Sequence, residues 1–225
     1  MTILRAATAG LAVAALAVAG DLNGLIVIKR QLTKRTLSPA IYSLRGTAPP
    51  AAATQNEPVN EFERTVVFVE GGKSSPLPAQ TATVEQRNSR FEPDLLILPV
   101  GSTVQFPNAD PIFHNVFSLS KAHPFDLGFY PKSQSRSVTF DHAGVVQVYC
   151  HIHAYMYGAI VVTDSPWYGK PSADGGGFSF HNLPAGSYRV VAWHKVAGAY
   201  SAKVDVPSTG AAAVTISVPV EVEHP

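Results

Sequence analysis

Val145-Val-Gln-Val-Tyr-Cys-His-Ile-His-Ala-Tyr-Met-Tyr-Gly-Ala-Ile-Val-Val-Thr163 carries the only cysteine of the chain, Cys150, between two apolar runs of strand type. Val145–Tyr149 ends at the cysteine, and Tyr157–Thr163 takes the chain back. Cys-x2-His-x2-Met therefore lies on one short loop between neighbouring strands. Upstream, the strand pattern Thr103-Val-Gln-Phe106 runs into Phe106-Pro-Asn-Ala-Asp-Pro-Ile-Phe-His-Asn115, which brings a second histidine from a distant part of the chain.

Working outward, the rest reads as β. Gly24–Lys29, Arg64–Glu70, Thr81–Glu85, Leu95–Val100, Ser135–Phe140, Ser187–His194, Ala199–Val206 and Ala213–Val220 have strand composition, and Phe178-Ser-Phe180 is short and alternating. Leu37–Leu44 is a further candidate. Gly46–Asn60, rich in Ala, Pro, Thr and Asn, reads as a loop. Gly71-Gly72, Asp141-His-Ala-Gly144, Asp174-Gly-Gly-Gly177 and Leu183-Pro-Ala-Gly186 are turn signals. Short strands with turns about every 8–12 residues predict an all-β sandwich architecture. No helix is predicted beyond the N-terminal segment.

Ala6–Gly20 follows Arg5, is apolar and rich in small residues, and offers Ala17-Val-Ala19 before Asp21. This is the pattern of an export signal over 1–20, and it predicts a periplasmic or secreted protein. The run is short for a membrane span and no second long apolar stretch follows, so no transmembrane segment is expected in the mature chain. A retained N-terminal anchor is the alternative. Net charge is +1 with Arg5 counted, and no block of like charge occurs. Nucleic-acid binding, which needs a concentrated basic face, is not expected. An exported chain with one cysteine has no internal disulfide, and a free thiol there is a chemical hazard. A metal-bound thiolate or a buried inert one removes that hazard.

His114, Cys150, His153 and Met156 supply two imidazoles, a thiolate and a thioether. That soft and borderline set suits a copper electron-transfer site, with three ligands near a plane and a weak axial methionine. Asn115 is placed to support the ligands, its side chain tying the His114 loop to the ligand loop and its backbone N–H facing the Cys150 sulfur. Cys-x2-His also fits half a zinc site, although a methionine adds nothing for zinc. Asp110 is read as a loop hydrogen-bonding residue. His151 should point away from Cys150 if the strand alternation persists. His123 is at most a stray metal contact, and no second copper cluster is legible. Paired catalytic carboxylates, a phosphate-binding glycine loop and a Ser-His-Asp pattern are missing, so an enzyme is not expected.

The segment from about Thr83 to Thr163 resembles the cupredoxin family, in particular plastocyanin, pseudoazurin and amicyanin. The resemblance rests on Phe106, Pro107, Asn108, Asp110, His114, Asn115, Gly144, Tyr149, Cys150, His153 and Met156. It implies a Greek-key sandwich and one type 1 copper ion, Cu(II)/Cu(I), on His114, Cys150, His153 and Met156. It further implies one-electron exchange with redox protein partners, such as a cytochrome or a membrane or periplasmic oxidoreductase. Electrons would leave through His153, with Ile152, Ala154 and Tyr155 on the docking surface. The chain departs from many small members in having Ala154 where proline follows the second histidine. Ser118–Tyr130, longer and more aromatic than a simple hairpin, is expected to cover the site or to build a partner surface.

From about Ala173 to Val220 the chain resembles the carboxypeptidase regulatory-like, transthyretin-like sandwich, on Asp174–Phe178, Leu183–Gly186 and Tyr188–His194. These residues speak for fold, not chemistry. Tyr188 and Trp193 are expected in a core or interface and His194 at the surface. The strands before residue 76 are too few to bury a core alone. They either pair with this second, smaller sandwich or extend the first. The expected organisation is therefore 1–20 signal, 21–76 N-terminal strands pairing with the C-terminal module, 77–164 copper domain and 165–225 regulatory-like module. A periplasmic copper-binding or delivery protein without an electron-shuttle role is the alternative function.

Overall fold

The computed structural model describes residues 19–33, 59–71 and 77–223. The strand expected over 37–44, nearly all of the loop expected over 46–60 and most of the expected signal lie outside these. The described residues are all β, with no helix, as the strand and turn pattern predicts.

Two sandwiches stand back to back. The first joins a three-stranded sheet, β10(Ser135–Phe140)-β7(Ser102–Pro107)-β3(Thr81–Thr83), to a five-stranded one, β6(Leu95–Pro99)-β12(Tyr157–Thr163)-β11(Gly144–Tyr149)-β8(His114–Ser118)-β9(Phe125–Tyr130). β3 runs parallel to β7 and β6 parallel to β12, while β11 is antiparallel to both β12 and β8. This is a Greek-key sandwich. Its core includes Val104, Phe106, Phe140, Val146, Val148 and Ile160, and Cys150 and Met156 belong to the same cluster.

The second sandwich joins β14(Gly177–Pro184)-β1(Ala19–Thr33)-β17(Ala211–Glu223) to β13(Tyr168–Gly169)-β2(Thr65–Glu70)-β15(Gly186–His194)-β16(Gly198–Val206). β1 pairs parallel to β17 from Asp21↔Ala211 to Thr33↔Glu223, and β2 pairs antiparallel to β15. Strands from both ends of the chain thus close one sandwich, and the first sandwich lies between them in sequence.

The outer faces of the two central sheets meet. Val66, Leu95, Ala159, Val161 and Trp193 form a buried cluster distinct from either core. Its presence explains the unbroken apolar runs of β2 and β12. In β12, Ile160 and Val162 enter the first core while Ala159 and Val161 enter the interface. In β2, Val67 and Val69 enter the second core and Val66 the interface. A strand buried on both faces has no polar side to alternate with.

The strands β8, β9 and β13 and one hairpin were not read from the sequence. β4(Glu85–Arg87) and β5(Arg90–Glu92) form a hairpin across Asn88-Ser89, both at positive φ (53° and 54°). Two such residues make the tight turn whose twist suits a hairpin, but Asn-Ser lacks the usual glycine. The aromatic segment expected to cover the site or to build a partner surface supplies β9, the edge strand paired to β8.

Candidate metal centre

His114 opens β8, and the loop before it is built by its own side chains. Asn108 accepts from the Asp110 N–H (2.9 Å) and donates through Nδ2 to the carbonyls of Ile112 (2.8 Å) and Tyr130 (3.0 Å). This closes an Asx-type turn. Asp110 then faces inward. Its carboxylate accepts from the N–H groups of Asn88 (2.7 Å) and Ser89 (2.8 Å), and lies 2.8 Å from His114 Nε2. Burial pushes the Asp110 carboxyl up, but the hydrogen bonds from Ser89, His114 and Asn88 prevail and hold it below the ordinary carboxylate range. An ionised Asp110 accepts the Nε2 proton of His114. The His114 Nδ1 lone pair is then left facing Cys150, in a carboxylate–histidine arrangement of the kind that orients metal-binding imidazoles.

Cys150 follows β11 and is 4% exposed; His114 is fully buried. The loop turns at once, with the Met156 N–H donating to the His153 carbonyl (2.9 Å). Cys150 Sγ lies 3.9 Å from His114 Nδ1 and 4.0 Å from His153 Nδ1. These three donor atoms are mutually within 4.8 Å. A metal–sulfur bond of ~2.3 Å and a metal–nitrogen bond of ~2.0 Å at trigonal angles put S and N about 3.7 Å apart. The donors therefore converge as ligands of one ion would. Burial pushes His153 below the usual imidazole range, with His114 beside it adding to the effect and Asp110 opposing it. Met156 is buried in the same cluster as Cys150.

The remaining residues named from sequence fall around this cluster. Asn115, fully buried, accepts from the His151 N–H (3.3 Å) and donates to Asp126 Oδ1 (2.6 Å), linking β8 to the ligand loop and to β9. His151 turns outward and stacks on Phe117, with ring centroids 3.8 Å apart at 6°. Ile152 and Tyr155 are 51% and 70% exposed, and Ala154 is exposed between them. Ile112 and Phe113, which precede His114 and were not singled out in the sequence, are exposed as well. Asp110 has a larger part than a loop residue: it is the group that holds His114. Its position four residues before the histidine was the available signal.

The second sandwich reaches the ligand loop. Lys195, at the turn after β15, donates to the carbonyl of Tyr157 (2.9 Å) and to Asp94, and accepts through its own carbonyl from the Tyr157 hydroxyl (3.1 Å). Tyr157 directly follows Met156, so the exit of the loop is fastened from outside its own sandwich. His194, expected at the surface, is fully buried instead. Its Nδ1 accepts from the N–H groups of Val196 (3.2 Å) and Ala197 (3.0 Å), and Nε2 lies 3.1 Å from Glu61. It caps the β15–β16 turn.

No family model matches the chain, and no curated protein matches it. Among solved structures it is similar to a copper-containing nitrite reductase from Thermus scotoductus SA-01, at 30% identity and a TM-score of 0.35, over 41% of this chain and 24% of that one. The chain thus spans about a quarter of the reductase's length. It is also similar to a purple cupredoxin from Nitrosopumilus maritimus (23% identity, TM-score 0.34, 36% of this chain and 99% of that one). A reduced amicyanin variant gives 23% identity and a TM-score of 0.36, over 43% of this chain and 98% of that one.

Proposed function

We propose that this chain is an exported type 1 copper protein that carries one electron at a time between larger redox partners. The observation that carries the reading is the convergence of His114 Nδ1 and His153 Nδ1 on the buried Cys150 Sγ. Copper held there would supply a Cu(II)/Cu(I) couple. Cys150 and the two imidazoles would form the ligand plane, and Met156 the weak axial contact.

The chain's own residues do the rest. Asp110 fixes the His114 ring, Asn115 fixes the start of the ligand loop, and the first core keeps water from the thiolate. Rigid ligands change little between oxidation states, which suits a carrier rather than an enzyme with an open coordination position. His153 is the ligand nearest solvent, and Ile112, Phe113, Ile152 and Tyr155 give the surrounding surface an apolar character fit for a transient redox partner. In this reading residues 1–20 are a signal, 77–164 the copper domain, and the strands of 21–76 belong with a regulatory-like module over 165–225. Removal of residues 1–20 would leave Leu22 and Ile26, both buried, to the mature strand.

Titration of the metal-free protein with Cu(II), followed by absorption and EPR, tests the reading. An intense thiolate-to-copper band at ~600 nm that saturates at one copper and vanishes in Cys150→Ser is expected. Tight binding of zinc or Cu(I) with no such band would sink the shuttle and favour delivery.

A further inference from the structure

A second group of metal-ligating side chains lies at the far end of β11. Cys150 follows the last residue of this strand, whereas Asp141 and His142 sit in the turn before its first. The strand has six residues, so the two ends are roughly 20 Å apart. His123 arrives from the β8–β9 connection. His142 Nδ1 lies 2.7 Å and His123 Nδ1 3.5 Å from the same carboxylate oxygen, Asp141 Oδ1. The three donor atoms are mutually within 4.8 Å.

The two loops are held against each other by the fold. The His123 N–H donates to the Ser120 carbonyl (3.0 Å), and the ring packs on Phe140 and Phe125 with centroids 5.0 and 6.1 Å away. Gly144, at φ 151°, lets the turn approach the other loop: a Cβ there would meet Ala122 Cβ at 2.6 Å. The His123 side chain is consequently only 21% exposed, while Asp141 and His142 are 65% and 73% exposed. One ligand is anchored in the sandwich and two are free to adjust.

We propose that His123, Asp141 and His142 form a second metal site, for a borderline divalent cation of the Zn2+ type. Two imidazoles and one carboxylate match that class; hard cations such as Ca2+ and Mg2+ prefer all-oxygen sites. Three protein ligands leave a fourth position to water. With no thiolate or thioether, the site differs in softness from the Cys150 cluster and would select a different oxidation state or metal. Because it joins two loops, an ion bound there stabilises the folded chain alone.

Calorimetric titration of the copper-loaded full chain with Zn2+, with the thiolate band followed in parallel, is the test. The expected result is one equivalent of Zn2+ taken up with the band unchanged. His142→Ala and Asp141→Ala, both at exposed positions, should weaken that uptake by roughly tenfold or more. Cys150→Ser should keep it, so the result stands apart from whether the first cluster loads copper. The thermal midpoint should rise with Zn2+ in the parent and not in His142→Ala. Absence of this equivalent, or uptake indifferent to His142→Ala and Asp141→Ala, overturns the proposal.

Discussion

Asp110 has two duties that substitutions can separate. It accepts two backbone N–H bonds, from Asn88 and Ser89, and it orients His114. Asp110→Asn keeps an acceptor toward His114 and Ser89 but loses the charge and the acceptor for the Asn88 N–H. In the proposed copper site the imidazole would become a poorer donor, so Cu(II) would be stabilised less and the reduction potential would rise. Cyclic voltammetry of the loaded variant would show it; an unchanged or lower potential would refute the role. Asp110→Ala also strands the Asn88 and Ser89 N–H groups and should cost about 1–3 kcal/mol in denaturant unfolding for each that stays unsatisfied. At this scale the candidate ligands were legible from sequence, because softness is a property of the side chain. The Asp110–His114 contact needed the Asn108 turn that folds the intervening loop back.

At the scale of elements, the turn joining β15 to β16 carries an acid-sensitive contact. Burial pushes His194 below the ordinary imidazole range, although Glu61 beside it acts in the opposite sense. Its Nδ1 already accepts two N–H groups, and a second ring proton would face them. The folded pKa is depressed, so the contribution to stability is full above the unfolded value of about 6.5 and is lost as pH falls from there through the folded value. Thermal midpoints measured from pH 7.5 down to 5 should fall in this window. His194→Gln, which offers an acceptor to the turn and a donor to Glu61 without titrating, should flatten that slope. An equal slope in both proteins would rule His194 out as its source. Sequence showed a histidine at the end of a strand and gave no sign of burial, since Glu61 lies far away in the chain. β9 escaped for a related reason: Phe125–Tyr130 is a strand because β8 offers it an edge.

Across the whole molecule, the interface between sandwiches is a third apolar cluster. Trp193, 7% exposed, is its largest member. Trp193→Ala should destabilise the chain by about 3–5 kcal/mol, read as a lower urea midpoint. An unchanged midpoint would mean that the two units do not share this surface in solution. The fastening of Tyr157 by Lys195 adds a connection between that interface and the ligand loop. Lys195 itself is pushed below the usual lysine range by burial, against the pull of Asp94.

By itself the sequence determined the all-β class, most strand positions and three side chains that meet at the candidate metal centre, His114, Cys150 and His153. These follow from local properties: period-two or apolar runs, glycine and proline turns, and the chemistry of individual side chains. Tertiary structure decided which strands share a sheet, that β2 and β12 are buried on both faces, and that Asp110 rather than a carbonyl faces His114. It also brought His123 to Asp141 and His142. Each of these depends on groups far apart in the chain meeting in space, and a strand's own pattern says that a face is buried without saying against what.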